Sequence, residues 1–300
     1  MFSKPIADGG LFMFYILAFF SFALGCCIAS FLNVCIWRLP REESVVSPPS
    51  HCPNCNGRIR WYQNIPLISW FALRGRCALC GKPISPRYVC VEFLGGVLFL
   101  AAYLQWTAGN SDVCAPSSAW TLGMTPFSSV WMLPVEWLVI SGLMLGAFID
   151  LDHFYLPDRV TIGGMILGVP LSALVPELQC EMDSLAAVVS SLEGLAFGFF
   201  FMWSMGWVFS KILKREALGF GDVKLMGAVG AFFGPVAVLF TLIASSVAGS
   251  LVGFAMMARG KARLGGFTAV PYGPFIAMGA LAWMFWGVVL VQLYMSLMRP

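Results

Sequence analysis

Apolar runs of roughly 17 to 25 residues, the length that crosses a bilayer as a helix, recur along nearly the whole of this chain. Composition agrees: 59% of residues are hydrophobic, 11% are charged and the mean hydropathy is +0.82. A soluble domain would carry about a quarter charged residues. The expected fold is an all-α polytopic membrane protein of about eight transmembrane helices. The spans run from Leu11 to Trp37, Val91 to Trp106, Val130 to Ile149, Thr161 to Val175, Leu185 to Phe209, Val223 to Phe233, Val236 to Met257 and Pro271 to Leu297. The sixth is short, which leaves room for a re-entrant stretch or for packing against protein. The first is too long for the apolar core of a signal peptide and shows no cleavage site before Arg38.

Lys and Arg cluster between Arg38 and Arg87, at Lys211, Lys214 and Arg215, and at Arg259, Lys261 and Arg263. The positive-inside rule places all three clusters in the cytoplasm. The loops holding Asp112 and Glu177, Glu181 and Asp183 carry no Lys or Arg and fall on the outer side in an alternating eight-span count. Both termini then face outward. The net charge of +3 is thereby topological and gives no hint of nucleic acid.

Two carboxylates stand out at the ends of spans, Asp150 closing one and Asp222 opening another within Gly219-Phe220-Gly221-Asp222. A carboxylate at a membrane boundary is costly unless it pairs, meets water or does chemistry. Both are expected at the cytoplasmic edge. Two carboxylates close together share a proton, so one draws a proton from water while the other donates to a scissile carbonyl oxygen. That chemistry is aspartyl peptide hydrolysis, with no serine, cysteine or metal nucleophile. Gly219 and Gly221 suit a sharp turn or a close backbone approach beside Asp222. Lys224 suits either tuning of the pair or anchoring in headgroups, and Asp158 suits a helix N-cap. With only two histidines in the chain, a Ser/His/Asp triad has little support.

The one sizeable hydrophilic segment holds Cys52-Pro53-Asn54-Cys55 and Cys77-Ala78-Leu79-Cys80. Paired CxxC knuckles at that separation match a zinc ribbon, in which four thiolates complete a tetrahedron around a structural ion. His51, next to Cys52, is an alternative ligand. The expected organisation is an outward segment and first helix over 1–37, a cytoplasmic zinc-binding loop over 38–90 and a peptidase core over 91–300. The stretch from Asn64 to Trp70 either rests on the membrane surface or fills the ribbon's core. Cys26, Cys27, Cys35 and Cys90 read as small packing residues, and Gly95-Gly96 as a close helix contact. Cys114 and Cys180, in outer loops, are candidates for a disulfide.

These residues carry a resemblance over almost the entire chain. Ser30-Phe31-Leu32-Asn33-Val34 through Arg38-Leu39-Pro40, the paired knuckles with Asn64-Ile65-Pro66 and Leu73-Arg74-Gly75-Arg76-Cys77, Pro83-Ile84-Ser85 to Arg87-Tyr88, and Val91-Glu92 form the first half. Ile149-Asp150-Leu151-Asp152-His153 with Leu156-Pro157-Asp158, Gly219-Phe220-Gly221-Asp222-Val223-Lys224, and Pro271-Tyr272-Gly273-Pro274 form the second. In these stretches the chain resembles the bacterial type IV prepilin peptidases. The resemblance implies catalytic roles for Asp150 and Asp222 and cleavage of prepilins or pseudopilins after the glycine that ends a basic leader, at the cytoplasmic face of the inner membrane. It also implies methylation of the new N-terminal amine with S-adenosylmethionine, for which no glycine-rich nucleotide fingerprint is visible. Two other classes remain, a transporter that relays protons through the boundary carboxylates and a membrane-anchored zinc-ribbon scaffold. Spans nearly devoid of mid-membrane charge disfavour the first, and the second leaves the aspartate motifs idle.

Overall fold

The structure, a computed structural model, describes residues 8–108, 130–179, 181–215, 218–259 and 270–298. The described residues are helical apart from loops and two isolated β-bridges. Eight α-helices follow in order: α1 Asp8–Arg38, α2 Ile68–Ala72, α3 Pro86–Thr107, α4 Met132–His153, α5 Asp158–Leu174, α6 Ser184–Leu213, α7 Phe220–Ala258 and α8 Gly273–Met298. Five of them, α1, α3, α4, α6 and α7, are long and apolar enough to cross a membrane. The chain forms two compact units, residues 1–108 and 109–300.

In the first unit α1 packs on α3 through small residues. A Cβ at Gly25 would stand 2.5 Å from the Gly95 carbonyl oxygen, and one at Gly96 would stand 2.5 Å from Cys26 Sγ. The expected Gly95-Gly96 contact is therefore present, because removing side chains lets helix backbones approach closely where lipid offers no competing hydrophobic drive. Cys26 and Cys35 are buried as expected, but Cys27 and Cys90 face outward. Asn33 donates to the Tyr88 carbonyl at 3.2 Å, and Glu92 accepts the Leu67 N–H at 2.9 Å. The first bond joins α1 to the opening turn of α3, and the second ties the intervening loop to α3. Ser85 caps α3 by accepting the Arg87 N–H, with Pro86 at the first helical position, where its missing N–H costs nothing.

The second unit is built around α7. Its backbone leaves the helical region at Gly234, φ 77° and ψ 179°, and Pro235 follows. A straight helix would separate residues 226 and 238 by about 18 Å along its axis. Yet the position of a Cβ on Gly198 lies 2.5 Å from the Met226 carbonyl oxygen and 3.2 Å from a Val238 methyl. The chain thus folds back at Gly234, and residues 220–233 and 235–258 run as two antiparallel helical arms. The expected boundary between the sixth and seventh spans falls at this reversal, inside one continuous element. Gly194 and Gly230 let α6 and the first arm touch backbone to backbone.

Pro235 also leaves a carbonyl without its helical partner, because the Ala231 oxygen would normally accept from the N–H four residues on. Three side chains repair the loss. Ser191 donates to the Ala231 oxygen at 2.7 Å, Gln179 at 2.8 Å and Ser172 at 3.5 Å. In lipid such satisfaction is what makes a broken helix tolerable. The hairpin is thereby anchored to α5, to α6 and to the short 3-10 turn Pro176–Gln179. Cys180 and Cys114, with the disulfide suggested for them, lie outside the described residues, as do Asp112, Lys261 and Arg263.

Candidate active site

Four helix ends meet in the second unit. α4 closes there on Asp150 to His153, α5 opens at Asp158, α7 opens at Phe220 and α8 opens at Gly273. Asp150 is buried, 6% exposed, and its Oδ2 accepts the Gly273 backbone N–H at 2.8 Å. That N–H belongs to the first turn of α8, whose free amides favour an anion. A carboxylate ending one helix is thus held by the start of another.

Asp222 is half-buried and stands in the first turn of α7, where the helix dipole likewise favours negative charge. Its carboxyl curls back over Gly219, 3.2 Å from where a Cβ would stand. The two aspartates interact electrostatically. Leu156, buried, joins them sterically: its Cβ lies 3.0 Å from the Cβ position of Gly221, and its Cδ2 lies 3.2 Å from that of Gly273 and 3.3 Å from that of Gly146. One side chain therefore fills the space that three glycines vacate on three helices. Gly221 makes room for Leu156, and Gly219 for the carboxyl of Asp222.

Asp158 is the first residue of α5 and caps nothing, contrary to expectation; Pro157 occupies the N-cap. Its Oδ1 instead receives the Lys224 ammonium at 2.6 Å. Lys224, expected to anchor in headgroups or tune the pair, bridges α5 to α7 two residues after Asp222 and also lies over the Phe220 ring at 4.9 Å. Asp152 and His153 are exposed at the end of α4. Gly273, Leu156 and the Lys224 bridge were not assigned by sequence reasoning. A backbone donor and an apolar wedge leave no chemical signature of their own.

In the first unit the four Sγ atoms of Cys52, Cys55, Cys77 and Cys80 lie within 4.8 Å of one another. Zinc bonded to four thiolates at about 2.3 Å would place the sulfurs about 3.8 Å apart, and Cys52 Sγ to Cys80 Sγ is 3.9 Å. Four thiolates gathered this closely are the donor set of a tetrahedral zinc site. The two knuckles are built alike. Asn56 N–H returns to the Cys52 carbonyl and Gly81 N–H to the Cys77 carbonyl, each at 2.9 Å, with Asn56 and Gly81 both at positive φ. His51 pairs with Arg58 in one β-bridge and Arg76 with Pro83 in the other. The backbone N–H groups of Cys80 and then Leu79 hold the Cys77 thiol down at about 6, below the usual thiol range, so one ligand is a ready thiolate. His51 Nδ1 lies 3.2 Å from the Pro49 carbonyl oxygen, outside the cluster. Between the knuckles, Trp70 packs on Gly75 and donates to the Ile84 carbonyl, while Trp61, Ile68 and Phe71 stay exposed. Trp70 thus packs inside the segment, in line with the core-filling alternative, while an apolar face is left outward.

The second unit thus brings two carboxylates close enough to interact electrostatically, one of them fixed by a backbone donor, with Leu156 wedged among the glycines beside them. The chain is similar in sequence to known proteins. The Bacterial Peptidase A24 N-terminal domain matches residues 23–106, and the Type IV leader peptidase family matches residues 137–254. A prepilin leader peptidase/N-methyltransferase of Myxococcus xanthus is 41% identical over 82% of this chain and 65% of its own length. One of the same name from Stutzerimonas stutzeri is 32% identical over 92% of this chain and 93% of its own. A type 4 prepilin-like proteins leader peptide-processing enzyme of Escherichia coli is 33% identical over 86% of this chain and 90% of its own. No solved structure matches.

Proposed function

This chain belongs to the type IV leader peptidase family, and from that premise we propose that it removes the leader from type IV prepilins, secretion pseudopilins or both, cutting after a glycine, and then methylates the new N-terminal amine. The observation that carries the peptidase reading is the meeting of Asp150 and Asp222 around Leu156 at one end of the second unit. Water held between the carboxylates loses a proton to the ionised member. The protonated member donates to the scissile carbonyl oxygen as the tetrahedral carbon forms. Gly273 fixes Asp150 Oδ2 and leaves Oδ1 for the water. Burial of Asp150 limits its contact with bulk water and strengthens its charge interactions.

The reversal at Gly234 supports an eight-span topology, with α7 supplying two arms and the carboxylates at the cytoplasmic edge, where the basic loops belong. Multi-pass placement in a bacterial inner membrane suits the apolar helices and the named relatives. Cys52, Cys55, Cys77 and Cys80 would hold a structural zinc, which cross-links a loop too small for its own core and leaves no position open for water. The methyl donor is S-adenosylmethionine, in keeping with the N-methyltransferase in the relatives' names.

Cleavage of a synthetic prepilin in liposomes by the native protein, Asp150→Asn and Asp222→Asn tests the assignment, with membrane expression checked for each. Loss of cleavage in both folded variants is expected. Retained cleavage in either removes that aspartate from the mechanism and reopens the transporter and scaffold readings.

A further inference from the structure

Two stretches singled out in the sequence, Ser30 to Arg38 and Asn64 to Pro66, take no part in the cleavage chemistry. They meet in the first unit, where a cleft of about 330 Å³ opens beside the inner end of α1. Its walls include Ser30, Phe31, Val34, Arg38, Ser50 and Asn64. The volume lies at the lower end of the range for small-molecule sites, about 300 to 1,000 Å³.

Arg38 sets the chemistry of this cleft. Its guanidinium is buried, 5% exposed, and donates to the Ser44 carbonyl at 2.9 Å and the Pro48 carbonyl at 2.8 Å. No carboxylate pairs with it among the described residues. A guanidinium carries five N–H donors, so most remain after those two bonds. A buried cation held only by carbonyl dipoles is costly to maintain. It is complementary to a ligand carboxylate, which a fork of N–H groups binds strongly. Asn64 adds an amide with no hydrogen bond among the described residues, offering both donor and acceptor at the rim. Phe31, 52% exposed, offers an aromatic face, which attracts a cation.

We propose that this cleft binds the methyl donor, with Arg38 on the carboxylate of its amino-acid end, Phe31 facing the sulfonium and Asn64 reading the edge of the base; this rests on the methyltransferase reading above. The ligand class is an α-amino acid joined through a sulfonium to a nucleoside. The neutral N-terminal amine of the cleaved substrate attacks the methyl carbon. The N–C bond forms from the nitrogen lone pair, the C–S bond breaks with its electrons remaining on sulfur, and the surplus proton leaves the nitrogen to water. A neutral thioether departs, and the cation that faced Phe31 disappears with it, which favours product release.

The cysteine cluster then acquires a purpose in the same unit. Ser50, on the cleft wall, accepts the Ile59 N–H at 2.9 Å, and the Cys52 N–H returns to Gly57 at 3.0 Å. The first knuckle thus holds one wall of the cleft in place.

The test is equilibrium binding of S-adenosylhomocysteine to the purified full-length protein and to Arg38→Gln, Asn64→Ala and Phe31→Ala, with prepilin cleavage as the folding control. Losses of at least about tenfold for Arg38→Gln and about threefold for Asn64→Ala are expected with cleavage retained. Photo-crosslinking of a radiolabelled methyl donor should mark peptides from residues 27–66. Unchanged binding in Arg38→Gln and Asn64→Ala together, or label confined to the second unit, overturns the assignment while leaving the methyltransferase reading intact. A native protein that neither binds the thioether nor methylates a cleaved pilin defeats the underlying reading instead. Release of a bound anionic lipid by Arg38→Gln, with thioether affinity unchanged, would mean the cleft serves a headgroup and would overturn the proposal. Should Arg38→Gln fail the cleavage control, Asn64→Ala and the crosslink decide alone.

Discussion

The backbone N–H of Gly273 donates to Asp150 Oδ2 at 2.8 Å across 123 residues of sequence. The start of α8 thereby positions a carboxylate that ends α4, and a glycine is required because a Cβ would stand 2.8 Å from that same oxygen. Gly273→Ala should therefore push Asp150 aside while leaving both carboxylates present. A displacement approaching 1 Å at the chemistry costs about 100-fold. Cleavage kinetics in liposomes should show a lowered kcat with KM little changed; native kcat in this variant would show that the contact does not position Asp150.

Leu156 touches the vacated sides of Gly146, Gly221 and Gly273. Leu156→Ala leaves a cavity among three helices, and buried Leu→Ala changes cost about 2 to 5 kcal/mol. Thermal melting in detergent should fall, and cleavage should fall further than stability explains, because both carboxylate-bearing helices lose their shared spacer. Leu156→Met, which conserves volume, should restore most of both.

The Lys224–Asp158 pair ties α5 to α7 at 2.6 Å, but Asp158 is 62% exposed. Exposed pairs contribute about 0 to 1 kcal/mol, so Asp158→Asn and Lys224→Met should barely move the melting temperature. The exchange of both residues, Asp158→Lys with Lys224→Asp, separates positioning from tuning. Activity recovered by the exchange means the pair sets helix register; activity still lost means the charge at Lys224 acts on the carboxylates directly.

Zinc should bind at one ion per chain, and elemental analysis of the purified protein checks it. Cys52→Ser or Cys77→Ser should lose the ion and lower the melting temperature, since the loop has few apolar contacts to replace it. In protein stripped of metal, Cys77 should alkylate fastest. Its rate should rise as pH climbs through about 6, because the Cys80 and Leu79 amides already favour its thiolate. A uniform alkylation profile for all four thiols would contradict the knuckle geometry.

Much of this protein was legible from local sequence. Span length and apolarity located the long helices, paired CxxC spacing located the sulfur cluster, and span-end carboxylates located Asp150 and Asp222, because each signal resides in residues adjacent in the chain. Gly95-Gly96 was readable as a helix contact for the same reason. Asp158 was misread as an N-cap, and its bridge to Lys224 was out of sight, since each was judged against its own helix and neither against the other, which lies 66 residues away.

What the sequence determined by itself is therefore the apolar, membrane-length helices and the candidate catalytic and metal-binding side chains, all consequences of hydrophobicity and residue type over short stretches. Tertiary structure decided the rest: the fold-back at Gly234 with three side chains satisfying the Ala231 carbonyl, the grip of Gly273 on Asp150, the wedge of Leu156 and the cleft around Arg38. Each depends on a backbone group or an apolar surface meeting a distant partner. Such groups are common to every residue, so only their placement in space gives them meaning.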